Sequence, residues 1–370
     1  MKIKAGKSEM LGALNIIKNF ISSSTTLQLL SNILFEAEGD TLYLSATDMD
    51  ISAKIKCPIG KVEKEGKTTI PKKLIQLISE FPEADVIIEV DKTDNIKVQS
   101  SGLKAKYNMK GLPAEDFPAL QPEDKKLESI VMSQASLKTI IGNIAYAALK
   151  DSSKRNLNGV LFSMSGTVLE TVATDAHRLA YMKTDLKVSV KTKFEFIVPL
   201  KTILEVEKVL ETSEDKNITI NFYDKLIEFK LEDLDIVSRV IDEKFPGFNQ
   251  VIPKDTKMKG IVNRDALQSA IKRATAITSD KAKTIVLKFE EDKLYINTSA
   301  ADEGEAFDEI DIKYTGDPCE VTYNANYILD LLKIVKTEDV EIKLVSATNP
   351  GIIKPVGDDS FIYIVMPIRK

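Results

Sequence analysis

The sequence has little of what most metal sites and catalytic centres are made from. It contains no tryptophan, a single histidine, and two cysteines, Cys57 and Cys319, that are far apart along the chain. This set lacks the ligand spacing of a zinc site, so we expect no metal. The sequence also has no phosphate-binding glycine loop and no Gly-x-Ser-x-Gly nucleophile turn, which disfavours nucleotide cofactors and a common class of hydrolase. We therefore predict no cofactor and no catalytic residue.

Long apolar runs are missing as well. No run approaches the roughly 20 residues that cross a bilayer, and the first residues lack the apolar core of a signal peptide. Two cysteines in different parts of the chain favour packed thiols in a reducing cytosol over a disulfide framework. We therefore expect a cytoplasmic protein without a membrane partner. The net charge of −5 argues against a uniformly basic DNA-coating protein but allows a local basic surface.

What the sequence does have is a long internal repeat. Matching motifs recur at offsets of 127 or 128 residues: Asp48 and Asp175 after strand-like pairs (33–35 with 42–48, 160–162 with 169–175), Pro71 and Pro199 between a strand and a helix, and the Phe-Pro pairs at 117–118 and 245–246. A fainter third copy matches 328–330 to 203–205. A period this long predicts three domain-sized copies rather than a short-repeat solenoid. We place them at 1–122, 127–253 and 256–370.

Each copy is predicted to run helix, strands, helix, strands. The first helices are expected to start near Ser8, at Ser133 and at Asn263, where apolar residues follow at helical spacing. Alternating β-branched segments, such as 86–90 and 96–99, predict hairpins. The expected fold class is therefore α+β, with antiparallel sheets and two helices in each copy.

The second helix of each copy is expected after a proline or its equivalent. Pro71 and Pro199 suit a first helical turn, where a missing N–H costs nothing. In the third copy Asn324 or Asn326 is the expected cap.

The segment 174–179, Thr-Asp-Ala-His-Arg-Leu, contains the single histidine, and three interpretations of it are open. Asp175 and His177 could belong to a hydrolase site, although no positioned nucleophile accompanies them. The segment could instead be a polar turn that is satisfied locally, or it could belong to a binding surface.

Basic side chains recur on or beside the helices of all three copies. One alone is typical of a solvated helix face, but the recurrence predicts a stripe for DNA phosphates. The residues expected to face DNA are Lys72, Lys73, Lys138, Lys154, Arg155, Lys201, Arg264 and Lys272. Acidic loops elsewhere would reconcile such a face with the negative net charge.

Four further motifs occur in order along the repeat. They are Gly-Leu-Pro-Ala-Glu-Asp-Phe-Pro at 111–118, Leu-Asn-Gly-Val-Leu-Phe at 157–162, the histidine segment at 174–179, and Val-Met-Pro-Ile-Arg at 365–369. Together they resemble the bacterial sliding-clamp family, the beta subunit of DNA polymerase III, over the whole chain. The resemblance implies a DNA-clamp fold of three clamp-type domains. It also implies a head-to-tail homodimer that closes as a ring around duplex DNA.

A rough geometric estimate supports two chains per ring. A domain of this size is a sphere about 34 Å across, so six in a ring leave a hole of about 34 Å and four leave about 14 Å. B-DNA is roughly 20 Å wide and passes only the larger hole. The resemblance places Lys104, Tyr107, Met109 and Ile277 at the interface between the chains.

The resemblance also implies a pocket that captures short peptides from the replicative DNA polymerase, the clamp loader and other clamp-binding proteins. By matching position, its lining is Leu157, Thr174, Ala176, His177, Arg178, Leu179, Pro246, Val251, Asn324, Tyr327, Val365, Met366, Pro367, Ile368 and Arg369. The chain departs from many relatives at Ala176, where they have glycine, and at Gln250, where arginine is frequent.

With this resemblance, the sequence predicts a non-catalytic processivity factor that encircles DNA, slides without reading sequence and tethers a polymerase. Two alternatives stay open. One is a hydrolase built on Asp175 and His177, and the other is a monomeric three-domain adaptor that binds DNA without encircling it.

Overall fold

The computed structural model describes residues 1–22, 27–118, 122, 125–151, 153–276, 284–300 and 304–369. Ile277, predicted at the chain interface, lies outside these residues. Helices come in pairs along the described chain: α1 Lys7–Ile17 and α2 Lys73–Ser79, α3 Gln134–Ile144 and α4 Leu200–Val209, α5 Arg264–Thr275 and α6 Ala325–Ile334. Within those residues, no helix combines the length and the apolar character needed to span a membrane.

Strands connect the helices in every copy. The first strands are β1 Lys2–Gly6, β2 Asn32–Glu38, β3 Thr41–Thr47, β4 Ile51–Cys57, β5 Lys61–Lys64, β6 Gly66–Pro71, β7 Asp85–Val90, β8 Asn95–Ser100 and β9 Lys106–Lys110. The next are β10 Glu128–Ser133, β11 Gly159–Thr174, β12 Arg178–Pro199, β13 Asn217–Phe222, β14 Leu226–Lys230 and β15 Leu234–Arg239. The last are β16 Met258–Asn263, β17 Thr284–Phe289, β18 Lys293–Ala300, β19 Gly304–Asp311, β20 Lys313–Thr315, β21 Cys319–Asn324, β22 Asp339–Leu344, β23 Gly351–Pro355 and β24 Phe361–Val365.

Side-chain caps explain where three of the helices begin. The side-chain oxygens of Ser133, Asn263 and Asn324 accept the backbone N–H groups of residues 136, 266 and 326 at 3.1, 3.0 and 2.9 Å. Each cap gives an N–H group of the first turn an acceptor that the helix itself cannot supply. The predicted starts at these three residues are confirmed.

The prediction that prolines occupy a first helical turn is wrong by one or two residues. Pro71 is the last residue of β6 and Pro199 the last of β12, while the helices begin at Lys73 and Leu200. A chain leaving a strand tolerates a missing N–H as well as a helix start does. The spacing of the prolines therefore could not distinguish the last residue of a strand from the first turn of a helix.

The first compact unit consists of Met1–Ser136 and Glu205–Val240. It contains a five-stranded sheet in the order β5-β1-β7-β8-β9 and an eight-stranded sheet in the order β10-β13-β14-β15-β4-β3-β2-β6. Neighbouring strands are antiparallel, as in the pairing of β4 with β15. The helix α1 buries Leu14 and Ile17, as its spacing predicted, together with Met10, while Leu11, which was also expected inside, is only half-buried.

The second compact unit consists of Leu137–Leu204 and Ile241–Lys370. It contains a seven-stranded sheet in the order β11-β12-β24-β23-β22-β16-β20 and a four-stranded sheet in the order β19-β18-β17-β21. The helix α5 buries Leu267, Ile271 and Ala274 in the same manner. Helices packed on antiparallel sheets confirm the α+β class. The sequence boundaries 1–122, 127–253 and 256–370 stay a prediction.

The repeat is visible in the strand register. β2 meets β6 at Asn32 and Pro71, β11 meets β12 at Gly159 and Pro199, and β17 meets β21 at Thr284 and Asn324. The register also repeats one hairpin further on, where Ala46 faces Ala53, Ala173 faces Ala180, and Thr298 faces Ala306. The chain therefore builds the same antiparallel arrangement three times.

The second copy differs from the others in continuity. The strand-like pair predicted at 160–162 and 169–175 lies within the single strand β11 up to Thr174. The register of β11 with β12 shifts on both sides of Gly166, which has a φ of +59°. Glycine reaches this left-handed conformation without a Cβ clash. The strand can therefore change register at this residue and continue on both sides of it.

Each compact unit contains a junction at which strands from two different copies of the repeat pair with each other. In the first unit Ile236 of β15 faces Ala53 of β4, and in the second unit Tyr363 of β24 faces Ala180 of β12. Ile236 and Tyr363 are both fully buried. We call these pairings the first and second junctions.

Candidate functional site

The segment 174–178 forms a tight turn that satisfies its own polar groups. Thr174 Oγ1 donates to the carbonyl oxygen of Arg178 at 2.6 Å and accepts from Ala176 N at 3.1 Å. Asp175 Oδ1 accepts the backbone N–H groups of His177 and Arg178, both at 2.9 Å. The carboxylate of Asp175 is thus directed to the turn rather than to the imidazole, and this geometry gives no support to a hydrolase site. The ring of His177 stacks on Tyr327 at a centroid distance of 6.3 Å.

Arg178 is the centre of a buried ionic network. Its Nε donates to Asp175 Oδ2 at 3.0 Å, its Nη1 to Asp330 Oδ2 at 2.8 Å, and its Nη2 to the carbonyl oxygen of Tyr146 at 2.9 Å. The guanidinium also lies 4.7 Å from the ring centroid of Tyr327. Arg178 is 6% exposed, so this predicted lining residue faces the protein.

Asp330 joins this network from α6. Its Oδ1 accepts from Lys333 Nζ at 2.8 Å, while its Oδ2 accepts from Arg178. Burial disfavours the charged carboxylate of Asp330, but the hydrogen bonds from Lys333 and Arg178 outweigh it and lower its pKa below the usual value. Asp330 is therefore ionised at neutral pH and shared between two cations.

Beside the turn lies an apolar groove of about 350 Å³. Predicted pocket residues that line it are Leu157, Thr174, Ala176, Leu179, Pro246, Val251 and Met366, and the structure adds Lys154, Asn156 and Phe248. Beneath it, Leu179, Phe245, Phe248 and Ile364 belong to one buried cluster. An apolar groove with a few polar groups at its rim suits the apolar side chains of a short peptide.

The other predicted pocket residues lie outside this groove. The chain end is anchored by hydrogen bonds from Met366 N to the carbonyl oxygen of His177 at 2.9 Å and from Ile368 N to that of Thr322 at 2.8 Å. Val365 is buried in β24 and Asn324 caps α6, whereas Ile368 is 42% exposed. Pro367 is half-buried and Arg369 is exposed.

The predicted DNA-facing residues occupy helix starts, helix faces and one loop. Lys72, Lys73, Arg155, Lys201 and Lys272 are exposed and Lys138 is half-buried. Two residues differ from expectation. Arg264 is half-buried, and its guanidinium bonds the carbonyl oxygen of Val335 at 2.8 Å and Asp265 at 2.6 Å. Lys154 is exposed but lines the apolar groove.

The predicted interface residues lie on or beside an open sheet edge. β9 is the last strand of its sheet, with Tyr107 37% exposed and Met109 half-buried. Lys104, just before this strand, is exposed. β19 also ends its sheet, and its Phe307 is 69% exposed and was not predicted.

Sequence reasoning missed Phe248, Asp330 and Phe307. Phe248 lies three residues after Phe245 of the Phe-Pro motif, and Asp330 lies three residues after Tyr327, about one helical turn. Either spacing was a usable signal, whereas nothing in the sequence separates Phe307 from a core residue. Within the described residues, no group of three or more His, Cys, Asp or Glu side chains is arranged to hold a metal ion.

Comparison with known proteins gives matches along nearly the whole chain. Models of the DNA polymerase III beta subunit match its N-terminal domain at 1–121, its central domain at 131–247 and its C-terminal domain at 249–369. The beta sliding clamp of Vibrio cholerae is 26% identical over 370 residues, covering 100% of both chains. That of Escherichia coli is 27% identical over 371 residues, also with 100% coverage of both.

Solved structures agree with these matches. The crystal structure of the DNA polymerase III subunit beta from Pseudomonas aeruginosa superposes with a TM-score of 0.95 at 27% identity, covering 100% of both chains. A P. aeruginosa sliding clamp bound to griselimycin gives the same TM-score, identity and coverage. Because the three domain models together match far more than half of the residues, the chain belongs to the DNA polymerase III beta subunit family.

Proposed function

We propose that the chain is a DNA polymerase processivity factor, a head-to-tail homodimeric ring that encircles duplex DNA and tethers the polymerase. The observation that carries this proposal is that β9 and β19 each end a sheet, whereas the corresponding strands of the other copies pair with each other, β15 with β4 and β24 with β12. In the first two copies of the repeat, β4 and β12 each pair with a strand from the next copy of the same chain. The two strands of the third junction, β9 and β19, are not paired with each other among the described residues, because they lie at the ends of different sheets.

A row of facing residues across three of the four described sheets supports this pairing. In one sheet the row is Ile130, Ile220, Phe229 and Ile236, and in another it is Gly260, Ile342, Ile353 and Tyr363. In the third it is Ile3, Ile88, Val98 and Tyr107. The first two rows continue across a junction to Ala53 or Ala180. The third ends at exposed Tyr107.

The repeat also gives the register of the missing junction. Ala306 of β19 occupies the place of Ala53 and Ala180 in its own hairpin. Tyr107 of one chain then faces Ala306 of a second copy, and Asn108 faces Glu305. This pairing would bury the Tyr107 ring as Ile236 and Tyr363 are buried, and it would satisfy the backbone groups of both edges.

The charges of the two edges are complementary. β9 and the residues before it carry Lys104, Lys106 and Lys110, whereas β19 carries Glu305, Asp308, Glu309 and Asp311. Arg273 and Lys293 offset part of the acidic charge. Opposite charges guide the correct edges together and disfavour the pairing of identical edges.

The apolar groove supplies the tether in this proposal. Partner proteins, including the replicative polymerase and the clamp loader, insert apolar side chains of a short peptide between Leu179, Pro246 and Met366. The relative from P. aeruginosa binds griselimycin, and we infer that this chain binds it in the groove. Ala176 places a methyl group in the lining.

The DNA contacts in this proposal are few and directed to phosphates. Exposed lysines such as Lys72, Lys201 and Lys272 bind phosphates without reading bases, as sliding requires. The ring itself performs no catalysis, and it acts inside the cell by keeping the polymerase at a high effective concentration near the primer end.

Retention on circular DNA tests the proposal. The protein is loaded onto a nicked circle by a clamp loader, separated from free protein by gel filtration, and the circle is then cut once. Loss of the protein on cutting is the expected result, because a ring slides off a free end. Retention on the linear product would mean direct adhesion and would favour an adaptor that does not encircle DNA.

A further inference from the structure

Asp330 lies outside the groove lining yet bonds the residue that holds the turn. Its side chain is 32% exposed, and one oxygen receives Arg178 Nη1 while the other receives Lys333 Nζ. Lys333 is 59% exposed. Asp330 therefore connects α6 to the turn that carries Ala176, and it does so through the buried guanidinium.

The guanidinium needs this partner because it has little access to water. A buried cation is tolerated only when carboxylates and acceptors satisfy it, and Arg178 has two carboxylates and one carbonyl. If the charge of Asp330 is removed, Asp175 is the remaining carboxylate bonded to Arg178. Asp175 is already used by two backbone N–H groups of the turn.

The turn needs external support because its backbone is strained. Ala176 has a φ of +74°, a conformation that costs non-glycine residues free energy and persists only where the surroundings impose it. Arg178 closes the turn through its carbonyl oxygen, and His177 holds Met366 through a backbone bond. A displaced Arg178 would thus move Ala176, Leu179 and Met366, which line the groove.

We propose that Asp330 is a positioning residue for the peptide groove, acting through Arg178 to fix the turn 174–178 against α6. This inference rests on the proposed function, because it assumes that the groove binds a peptide-like ligand. It concerns affinity at the groove alone. Ring closure and DNA retention depend on other residues.

Calorimetric titration with griselimycin tests this role in the full-length protein. The isosteric change Asp330→Asn should weaken binding about tenfold, since it replaces a charged hydrogen bond with a neutral one. Lys333→Ala is the matched control, because it removes the other partner of the same carboxylate. It should leave the affinity within about twofold of the original.

A double-mutant cycle separates positioning from general stability. Arg178→Lys should weaken griselimycin binding, and adding Asp330→Asn should cost little more, because both changes break one connection. Asp330→Glu keeps the charge and should restore part of the affinity. All variants are compared well below their melting temperatures, with retention on circular DNA as a check that the ring is intact.

Two groups of results would overturn the inference. Unchanged affinity in Asp330→Asn, an equal loss in Lys333→Ala, or additive losses in the cycle would each show that Asp330 does not act through Arg178. Failure of the unmodified protein to bind griselimycin would instead remove the proposed groove, and this inference with it.

Discussion

The first and second junctions share a backbone and differ in chemistry. Ser52 faces Val237 in the first, and Leu179 faces Ile364 in the second, at the same register. Both are preceded by a turn closed by a threonine, since Thr47 donates to the carbonyl oxygen of residue 51 at 3.1 Å as Thr174 does to that of 178 at 2.6 Å.

The side chains on one face of the sheet make the difference. The row Ser45, Lys54 and Asp235 of the first junction corresponds to Val172, Tyr181 and Ile362 in the second. Beside the first row lies a groove of about 640 Å³ that includes charged Glu36, Lys54 and Lys67 in its lining. The comparison teaches that the repeat supplies a turn and a sheet twice, and that a few apolar residues give the second junction the groove that we propose as the peptide site.

A charge placed in the apolar groove should have the largest effect. Met366→Asp puts a carboxylate among apolar groups that cannot solvate it, and we expect griselimycin affinity to fall at least about 100-fold. Ser52→Asp places the same charge at the first junction and should change the affinity by less than about twofold. Similar losses in both variants, measured by calorimetry, would contradict the contrast between the junctions.

A charge at the open edge should remove the dimer while sparing both filled junctions. Tyr107→Asp places a carboxylate opposite Ala306 of the partner chain and beside the acidic edge. We therefore expect the dissociation constant of the dimer to rise by about 100-fold. Sedimentation at micromolar concentration should show monomers whose melting temperature is nearly unchanged. A dimer of unaltered affinity would mean that β9 is not the interface.

The two turns should respond alike to glycine. Met49 and Ala176 have φ values of +80° and +74°, so glycine relieves backbone strain at both sites while increasing the freedom of the unfolded chain. We expect Met49→Gly and Ala176→Gly each to raise the free energy of unfolding by about 0.5 to 1 kcal/mol. Urea unfolding measures this. Opposite signs would show that the turns are not equivalent.

Acid stability gives a further comparison between the two units. In the first unit Glu36 contacts Lys54 and Lys67. In the second unit Glu341 contacts Lys259, Lys343 and Lys354. Burial opposes ionisation of both glutamates, but the lysines outweigh it and lower the pKa of each, that of Glu341 from 4.5 to about 2.

A lowered pKa stabilises the folded state above the unfolded pKa, and this contribution is lost as the pH falls. Between pH 4.5 and about pH 2 the protein should therefore lose stability more steeply than Glu341→Gln. Glu36→Gln should show a weaker flattening. Thermal melting at a series of pH values measures this. If the melting temperatures of the protein and of Glu341→Gln fall in parallel as the pH is lowered, Glu341 does not have this role.

Local features of the fold could be predicted from the sequence. The offset between Pro71 and Pro199, the caps at Ser133 and Asn263, and the self-contained turn at 174–178 follow from spacing and from short-range hydrogen bonds. They need no knowledge of which distant strands meet.

Features that depend on long-range pairing could not be predicted. The family resemblance placed Arg178 in the pocket lining. In the structure its side chain points inward, because it bonds Asp330 on α6, which lies 152 residues later in the chain. Phe307 reads as an ordinary strand residue, and only the sheet order shows that its strand is an edge. Such contacts depend on the sheet order, which the alternation of apolar residues does not encode.

Cross-linking at the predicted register tests the central claim most directly. Antiparallel partners lie about 4.5 to 5.5 Å apart between Cα atoms, within the span of a disulfide. Asn108→Cys with Glu305→Cys should form covalent circular dimers on oxidation, whereas Asn108→Cys with Ala306→Cys, shifted by one residue, should not. The native Cys57 and Cys319 are buried and should not interfere. A covalent dimer that stays on circular DNA in denaturant is the predicted result, and monomers or an open ladder of polymers would contradict the ring.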